Sequence, residues 1–224
     1  MINFYKKLQP EDAKYSNPNG KQYNIFHPFR ILIAGSSGSG KTNILLNLIH
    51  KLCCFEKYYF FVKLAGDDDL YDQILIPELQ RASEKVGVNL IGVYADDLES
   101  LPDLKSNLID SKKQNLFVFD DMNEESAKDL KRIEEYFTKA RKLNCSLVYI
   151  SQDFFKTPVK IRRNCTHCIF TDINSDNDLR NVWSDLAKQD FETFNQFKRT
   201  FKQLQPFTVY KRETGIDKRY GSFK

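Results

Sequence analysis

The segment Gly35-Ser36-Ser37-Gly38-Ser39-Gly40-Lys41-Thr42 constrains this chain more than any other stretch. It follows an apolar run, Phe29 to Ala34. It precedes an amphipathic stretch, Asn43 to Phe55, in which Ile44, Leu45, Leu48, Ile49 and Leu52 recur at helical spacing. Strand, glycine-rich loop, helix is the context in which G-x-x-x-x-G-K-[ST] holds a phosphate. Glycines let the backbone approach the anion, and successive N–H groups at the helix N-terminus hold it. The pattern places Lys41 on the β and γ phosphates of ATP and the Thr42 hydroxyl on Mg²⁺. The bland alternative is a flexible Ser/Gly turn. At average composition, chance produces the pattern in a chain of this length on the order of 1% of the time.

Strand and helix signals alternate through the next 130 or so residues. Strands are expected at Tyr58 to Leu64, Leu90 to Ala95, Leu116 to Phe119, Ser146 to Ile150 and Thr166 to Phe170. Helices are expected at Glu78 to Lys85 (closed by Gly87), Leu104 to Ile109, Glu124 to Leu143, Asp178 to Ala187 and Phe191 to Leu204. The reading is an α/β fold with a mostly parallel sheet covered by helices on both faces. Two strands precede Asp120, which fits a sheet with an extra strand between the strand of the loop and the strand of Asp120. Phe207 to Arg212 and Lys218 to Tyr220 are placed to form a terminal hairpin. Three parts follow: an arm over residues 1–28, polar and marked by Pro10, Pro18, Gly20 and Pro28, that would dock on a neighbour; a nucleotide-binding core over 29–172; and a helical, basic extension over 173–224.

Leu116-Phe117-Val118-Phe119-Asp120-Asp121 puts two acids at the carboxyl end of an apolar strand, where phosphates and Mg²⁺ collect in such sheets. Asp120 is expected to hold the Mg²⁺, and Asp121 to orient or deprotonate the attacking water. The alternative is that Asp121 or Asn123 caps the next helix. Ser151-Gln152 ends another apolar strand, so Gln152 can sense the γ phosphate or serve as an ordinary loop residue. Arg141, Arg162 and Arg163 are candidates for a guanidinium that stabilises the transferring phosphoryl group, often from a neighbouring subunit. The residues alone do not choose among them.

Five cysteines, two of them adjacent, argue against a disulfide framework and for free thiols. Cys165-Thr166-His167-Cys168 has zinc-like spacing, but a second pair would have to come from His50 with Cys53 or Cys54, so structural cysteines are expected. No apolar run approaches a membrane span, and no cleavable leader is visible; an intracellular protein without a membrane partner is expected. The net charge of +4 is uneven. Residues 198–224 carry eight basic side chains against two acids, so the other 197 residues sum to −2. A basic end suits a polyanion or a solvated tail.

His27-Pro28-Phe29-Arg30-Ile31-Leu32-Ile33-Ala34-Gly35, Phe119-Asp120-Asp121, Phe137 to Asn144, and above all Ser151 to Asn164 resemble the genome-packaging ATPases of large DNA viruses, virophages and Polinton-type elements. These belong to the FtsK–HerA superfamily. The similarity covers roughly residues 25 to 172. It implies a RecA-like P-loop core, a homo-oligomeric ring (pentamer or hexamer) and ATP-driven translocation of double-stranded DNA into a preformed capsid. It further implies a contact with a capsid vertex protein and a location in the host-cell cytoplasm, a viral factory or the virion. It makes Gln152 the residue coupling nucleotide state to the motor, and Arg162 the favoured arginine, with Arg141 also matching a family position. The basic C-terminal segment would face the duplex. Asp121 stands where many relatives carry Glu, and Lys142 where they often have His. Two other readings remain at this point: a small-molecule or nucleotide kinase on a P-loop fold, and a non-motor nucleotide-binding switch.

Overall fold

The structure, a computed structural model, describes residues 25–52, 55–63, 65–66, 68–173, 175–204, 208–212 and 219–222. The apolar run before the glycine-rich loop forms β1 (Arg30–Ala34), and the loop opens α1 (Lys41–Leu52). There follow β2 (Lys57–Val62), α2 (Ile76–Val86), β3 (Ile91–Ala95), β4 (Asn115–Asp120), α3 (Ala127–Lys139), β5 (Cys145–Ser151), α4 (Val159–Asn164) and β6 (His167–Phe170). The chain continues as α5 (Asp176–Val182), α6 (Phe194–Leu204), β7 (Thr208–Lys211) and β8 (Tyr220–Ser222).

The eight strands among the described residues join one sheet in the order β3-β2-β4-β5-β1-β6-β7-β8. From β3 to β6 the pairs are parallel; β7 and β8 add antiparallel. The strand between β1 and β4 is β5, which follows Asp120 in sequence; β2 and β3 lie outboard of β4. The extra strand is therefore present, but it is not either of the two that precede Asp120.

The central strands are buried on both faces, which is why they read as continuous apolar runs. On one face Ile31 and Ile33 pack with Ile44, Leu45 and Leu48 of α1. On the other, Leu32, Phe117, Phe119 and Tyr149 pack with Ile133, Tyr136 and Phe137 of α3 and with Ile161 of α4. Tyr59 stacks on Phe117 across β2 and β4 at 4.1 Å between ring centroids. The aromatic stripe of α6 is core, as its spacing indicated: Phe194, Phe197 and Phe201 are buried. The terminal hairpin is β7 with β8; its turn lies outside the described residues.

Several elements differ from expectation for local reasons. Residues 104–109 form turns, not a helix, because Asp103 captures the chain: its Oδ1 accepts from Lys105 N at 2.7 Å and its carbonyl from Ser106 Oγ at 2.6 Å. The helix expected from Glu124 starts at Ala127, capped by Ser126, whose Oγ accepts from Asp129 N at 3.2 Å. Neither Asp121 nor Asn123 is that cap. Asn144, in the left-handed region at φ 58°, ends the 3₁₀ turn that follows α3. Six-residue α4 carried no expectation at all. Cys145, Cys165 and Cys168 are buried free thiols, whereas Cys53 and Cys54 lie outside the described residues. No helix among the described residues is long and apolar enough to cross a membrane.

Candidate functional site

The carboxyl ends of β1, β4, β5 and β6 meet at the glycine-rich loop. Gly35 N donates to Ser151 O at 3.2 Å, and Thr171 N to Ala34 O at 3.0 Å, so the loop springs from between β5 and β6. A side chain at Gly35 is excluded: its Cβ would lie 1.6 Å from Thr171 Oγ1. Gly38 (φ 70°) and Gly40 (φ 87°) hold left-handed conformations that L side chains rarely adopt. The loop is laced by Ser39 Oγ, which donates to Ser36 O at 2.6 Å and lies 2.6 Å from Thr171 Oγ1. Lys41 Nζ donates to Ser36 O at 2.8 Å.

Asp120 is the last residue of β4, in register with Val62 on β2 and Ile150 on β5. Its exposure is 9%. Burial lifts its carboxyl to about 6; the hydrogen bond from Tyr71 opposes the rise, the Asp121 charge adds to it, and Lys41 opposes it again. The phenol of Tyr71 donates to Asp120 Oδ2 at 2.9 Å. Lys41 is held below its ordinary range by partial burial, against the pull of Asp120 and Asp121.

Asp121 leaves the strand in the left-handed region at φ 58°. Its Oδ2 accepts from Gln152 Nε2 at 2.7 Å. Around them Asn123 Nδ2 donates to Ser151 Oγ at 2.7 Å, and Tyr149 Oη to Asn123 Oδ1 at 3.0 Å. The ends of β4 and β5 are thus locked side by side. Lys41, Thr42, Asp120, Asp121 and Gln152 line one cleft of about 230 Å³ together with Ser37, Gly38 and Asp68. A hollow of about 430 Å³ adjoins it, lined by Gly35, Ser36, Phe154, Asp172 and Asp178 and sharing Gln152.

The arginines are elsewhere. Arg162 is the arginine that the resemblance favours for stabilising the phosphoryl group. It is 5% exposed, its Nε donates to Thr157 O at 3.0 Å, it pairs with Asp185, and it lies against the rings of Phe154 and Phe155. To reach a neighbour's nucleotide, this guanidinium would have to leave its Asp185 partner and its nearly buried place. Arg141 is exposed but sits before β5, at the opposite end of the sheet from the loop; Arg163, also exposed, precedes β6 at that same end. The site also contains residues the sequence did not flag. Tyr71 lies on a π-helical turn, Tyr71–Leu75. Asp68 precedes that turn, and Thr171 follows β6. Of these only Thr171 had a signal, a hydroxyl immediately after an apolar strand.

A family model described as the poxvirus A32 protein matches residues 21–196. The chain belongs to the poxvirus A32 protein family. The A32 relatives include the DNA packaging protein OPG160 of Variola virus, 31% identical over 149 residues, which are 64% of this chain and 53% of that protein. The corresponding protein of Monkeypox virus is also 31% identical, over 64% of this chain and 48% of its own length. This chain therefore spans about half the length of those relatives. In fold, it is similar to the genome packaging NTPase B204 of Sulfolobus turreted icosahedral virus 2. The sulfate complex gives a TM-score of 0.58 at 16% identity, covering 84% of this chain and 94% of B204. The complex with ATP-gammaS gives 0.58 at 13% identity, covering 88% and 96%. The fold is accordingly the RecA-like P-loop type, and the resemblance to viral genome-packaging ATPases is borne out at the level of family.

Proposed function

We propose that this chain is an ATP-hydrolysing motor that drives double-stranded DNA into a preformed viral capsid. The observation that carries the reading is the convergence of Lys41, Thr42, Asp120, Asp121 and Gln152 on one cleft at the carboxyl ends of β1, β4 and β5. The relatives named DNA packaging proteins, and the like-folded NTPase bound to an ATP analogue, support it.

The roles follow from chemistry. Backbone N–H groups of Gly38 to Thr42 hold the β phosphate at the start of α1. Lys41 is partnered by a neutral carbonyl, which an anionic phosphate oxygen displaces, since charge-assisted bonds are roughly twice as strong. The Thr42 hydroxyl and Asp120 would hold Mg²⁺, which neutralises charge on the phosphates. Among the described residues no group of three or more His, Cys, Asp or Glu could hold a metal by itself, so the nucleotide's own oxygens complete such a site. Asp121 orients the attacking water and accepts its proton. Gln152 fixes Asp121 and, placed at the end of β5, reports the nucleotide state to the rest of the chain.

The larger assembly belongs to the same proposal. The chain works as a pentameric or hexameric ring, with residues 1–28 as an arm toward a neighbour, 29–172 as the ATPase core and 173–224 as an extension. It acts in the host-cell cytoplasm or a viral factory, against a capsid vertex protein.

ATP hydrolysis by the purified chain, with and without duplex DNA, tests this. Wild-type hydrolysis is expected to rise with DNA. Lys41→Ala is expected to abolish it, and Asp121→Asn to lower kcat about 10²–10⁴-fold, the range for loss of a positioned base. Hydrolysis indifferent to DNA, or phosphate transfer to a small acceptor, would sink the motor reading.

A further inference from the structure

The two ends of the sheet carry opposite charge. The carboxyl end, around the nucleotide cleft, gathers Asp68, Asp120, Asp121, Asp153 and Asp172. At the amino end, Lys112 and Lys113 lead into β4, Arg141 and Lys142 into β5, and Arg163 into β6. These segments are tied together. Asn144 Nδ2 donates to Lys113 O at 2.9 Å and Asn144 N to Arg141 O at 3.2 Å. Lys160 pairs with Glu134 at 2.8 Å, fixing α4 beside α3. Arg163 is three residues further along α4, about 4.5 Å nearer the amino end.

Among the described residues, none of the five side chains joins an ion pair or a hydrogen bond. The nearby acids are spent on backbone: Glu56 Oε2 accepts from Gln114 N at 3.0 Å, and Asp110 Oδ1 from Lys112 N at 2.9 Å. Lys57, at the start of β2, is held below its ordinary ammonium range first by burial and then by the like charge of Lys113. The basic C-terminal segment is more occupied. Lys198 pairs with Asp176, Arg219 with Asp190, and Arg212 donates to the carbonyls of Cys165 and Arg162.

We infer that the amino-terminal edge of the sheet, through Lys112, Lys113, Arg141, Lys142 and Arg163, is the surface that lies against the phosphate backbone of double-stranded DNA. The inference rests on the reading of this chain as a DNA motor, and it moves the duplex contact from the C-terminal segment to this edge. From β4 to β6 the edge spans three strand spacings, about 14 Å. A duplex carries one charge per about 1.7 Å of axis, so about eight phosphate charges run alongside it. A line of unpaired cations on long, flexible stems suits such a uniform array, because it needs no base-specific geometry. The contact also lies opposite the nucleotide cleft, so DNA and ATP do not compete for one site.

The test is binding of the full chain to a fluorescent duplex, followed by anisotropy from about 50 to 200 mM salt. The triple variant Lys112→Ala/Lys142→Ala/Arg163→Ala is compared with wild type and with Arg199→Ala/Lys202→Ala, which removes two exposed cations of α6. Losing three phosphate contacts is expected to lower the slope of log K against log salt by about 2.7, at 0.9 per contact. The α6 variant is expected to keep the wild-type slope. Thermal melting of all three proteins establishes that they are folded. A wild-type slope in the triple variant overturns the surface while leaving the motor reading intact. So does a slope lost only in the α6 variant. A triple variant that loses self-association by light scattering yet keeps its DNA slope also overturns it, and assigns the edge to a second copy's acidic end. No DNA binding by the wild type overturns both readings together.

Discussion

The phenol of Tyr71, with no exposed surface, donates to Asp120 Oδ2 at 2.9 Å across 49 residues of sequence. The bond ties the acid at the end of β4 to a π-helical turn that also engages β3, where Tyr94 Oη donates to Asp72 Oδ1 at 2.9 Å. Asp120 is nearly buried, so its charge depends on that donor. Tyr71→Phe is expected to cost about 1–3 kcal/mol, the range for leaving a buried acceptor unsatisfied. It should appear as a lower urea midpoint at unchanged slope. In Asp120→Asn the phenol faces an amide, so the two changes together should cost less than their sum by about 0.5–3 kcal/mol. Strict additivity would mean that the bond does nothing for the site.

Gln152 and Asp121 make the corresponding pair on the solvent side of the cleft. Gln152→Ala leaves Asp121 free to turn away from the water it is proposed to hold. Misplacement on the scale of 1 Å can cost about 10²-fold in rate, so kcat is expected to fall by about that factor while KM for ATP stays near its wild-type value. The opposite split, a raised KM at unchanged kcat, would make Gln152 a ligand-binding residue only.

These two contacts show where sequence reading succeeds and where it stops. The loop, β1, α1, and Asp120 with Asp121 were legible because each signal lies within a dozen residues and obeys a period or a fixed spacing. Tyr71 was not, because its partner is distant and a five-residue π-turn has no motif. Arg162 shows a related limit. Its place in a motif was visible, but its burial against Phe154, Phe155 and Asp185 arises only when α4 packs. The basic C-terminus looked free as a string of charges; Asp176 and Asp190, which occupy Lys198 and Arg219, lie 22 and 29 residues away. Charge segregation between the two ends of the sheet was invisible for the same reason, since it depends on which loops the parallel topology gathers at each end.

Gly35 yields a packing prediction. Its missing Cβ would sit 1.6 Å from Thr171 Oγ1, 3.0 Å from Thr171 Cβ and 3.1 Å from Ser39 Oγ. Gly35→Ala must therefore push β6 and the loop apart, at a cost of about 1–3 kcal/mol for overpacking, and weaken nucleotide binding because the loop shifts with it. Thr171→Ala removes the nearest atom. The double variant Gly35→Ala/Thr171→Ala is expected to recover part of the stability lost by Gly35→Ala alone. If the second change only adds damage, the clash is not what makes glycine necessary here.

His27 sets a pH dependence at the other end of the sheet. Ser146 Oγ accepts from Phe29 N at 3.0 Å and lies 2.6 Å from His27 Nδ1, so its hydroxyl proton points to Nδ1. His27 Nε2 then carries the ring proton and donates to Asn144 Oδ1 at 2.9 Å. This neutral tautomer fits its partners, and a second proton on Nδ1 would face a donor. Burial holds the imidazole down to about 4, against weaker opposing help from Asn144. The unfolded chain, at about 6.5, binds the proton more readily than the folded one. Between those values stability rises with pH: it is fully present above about 6.5 and is lost as pH falls toward 4. A gap of about 2.5 pH units is on the order of 3 kcal/mol. Because Asp120, lifted to about 6, gains stability as pH falls through the same window, the His27 loss is read as the difference between wild type and a His27 variant, in urea unfolding at pH 7 and pH 4.5. His27→Gln, which keeps a donor for Asn144 but does not titrate, should lose less stability than the wild type across the same window; an equal slope in both proteins would assign the dependence to other groups.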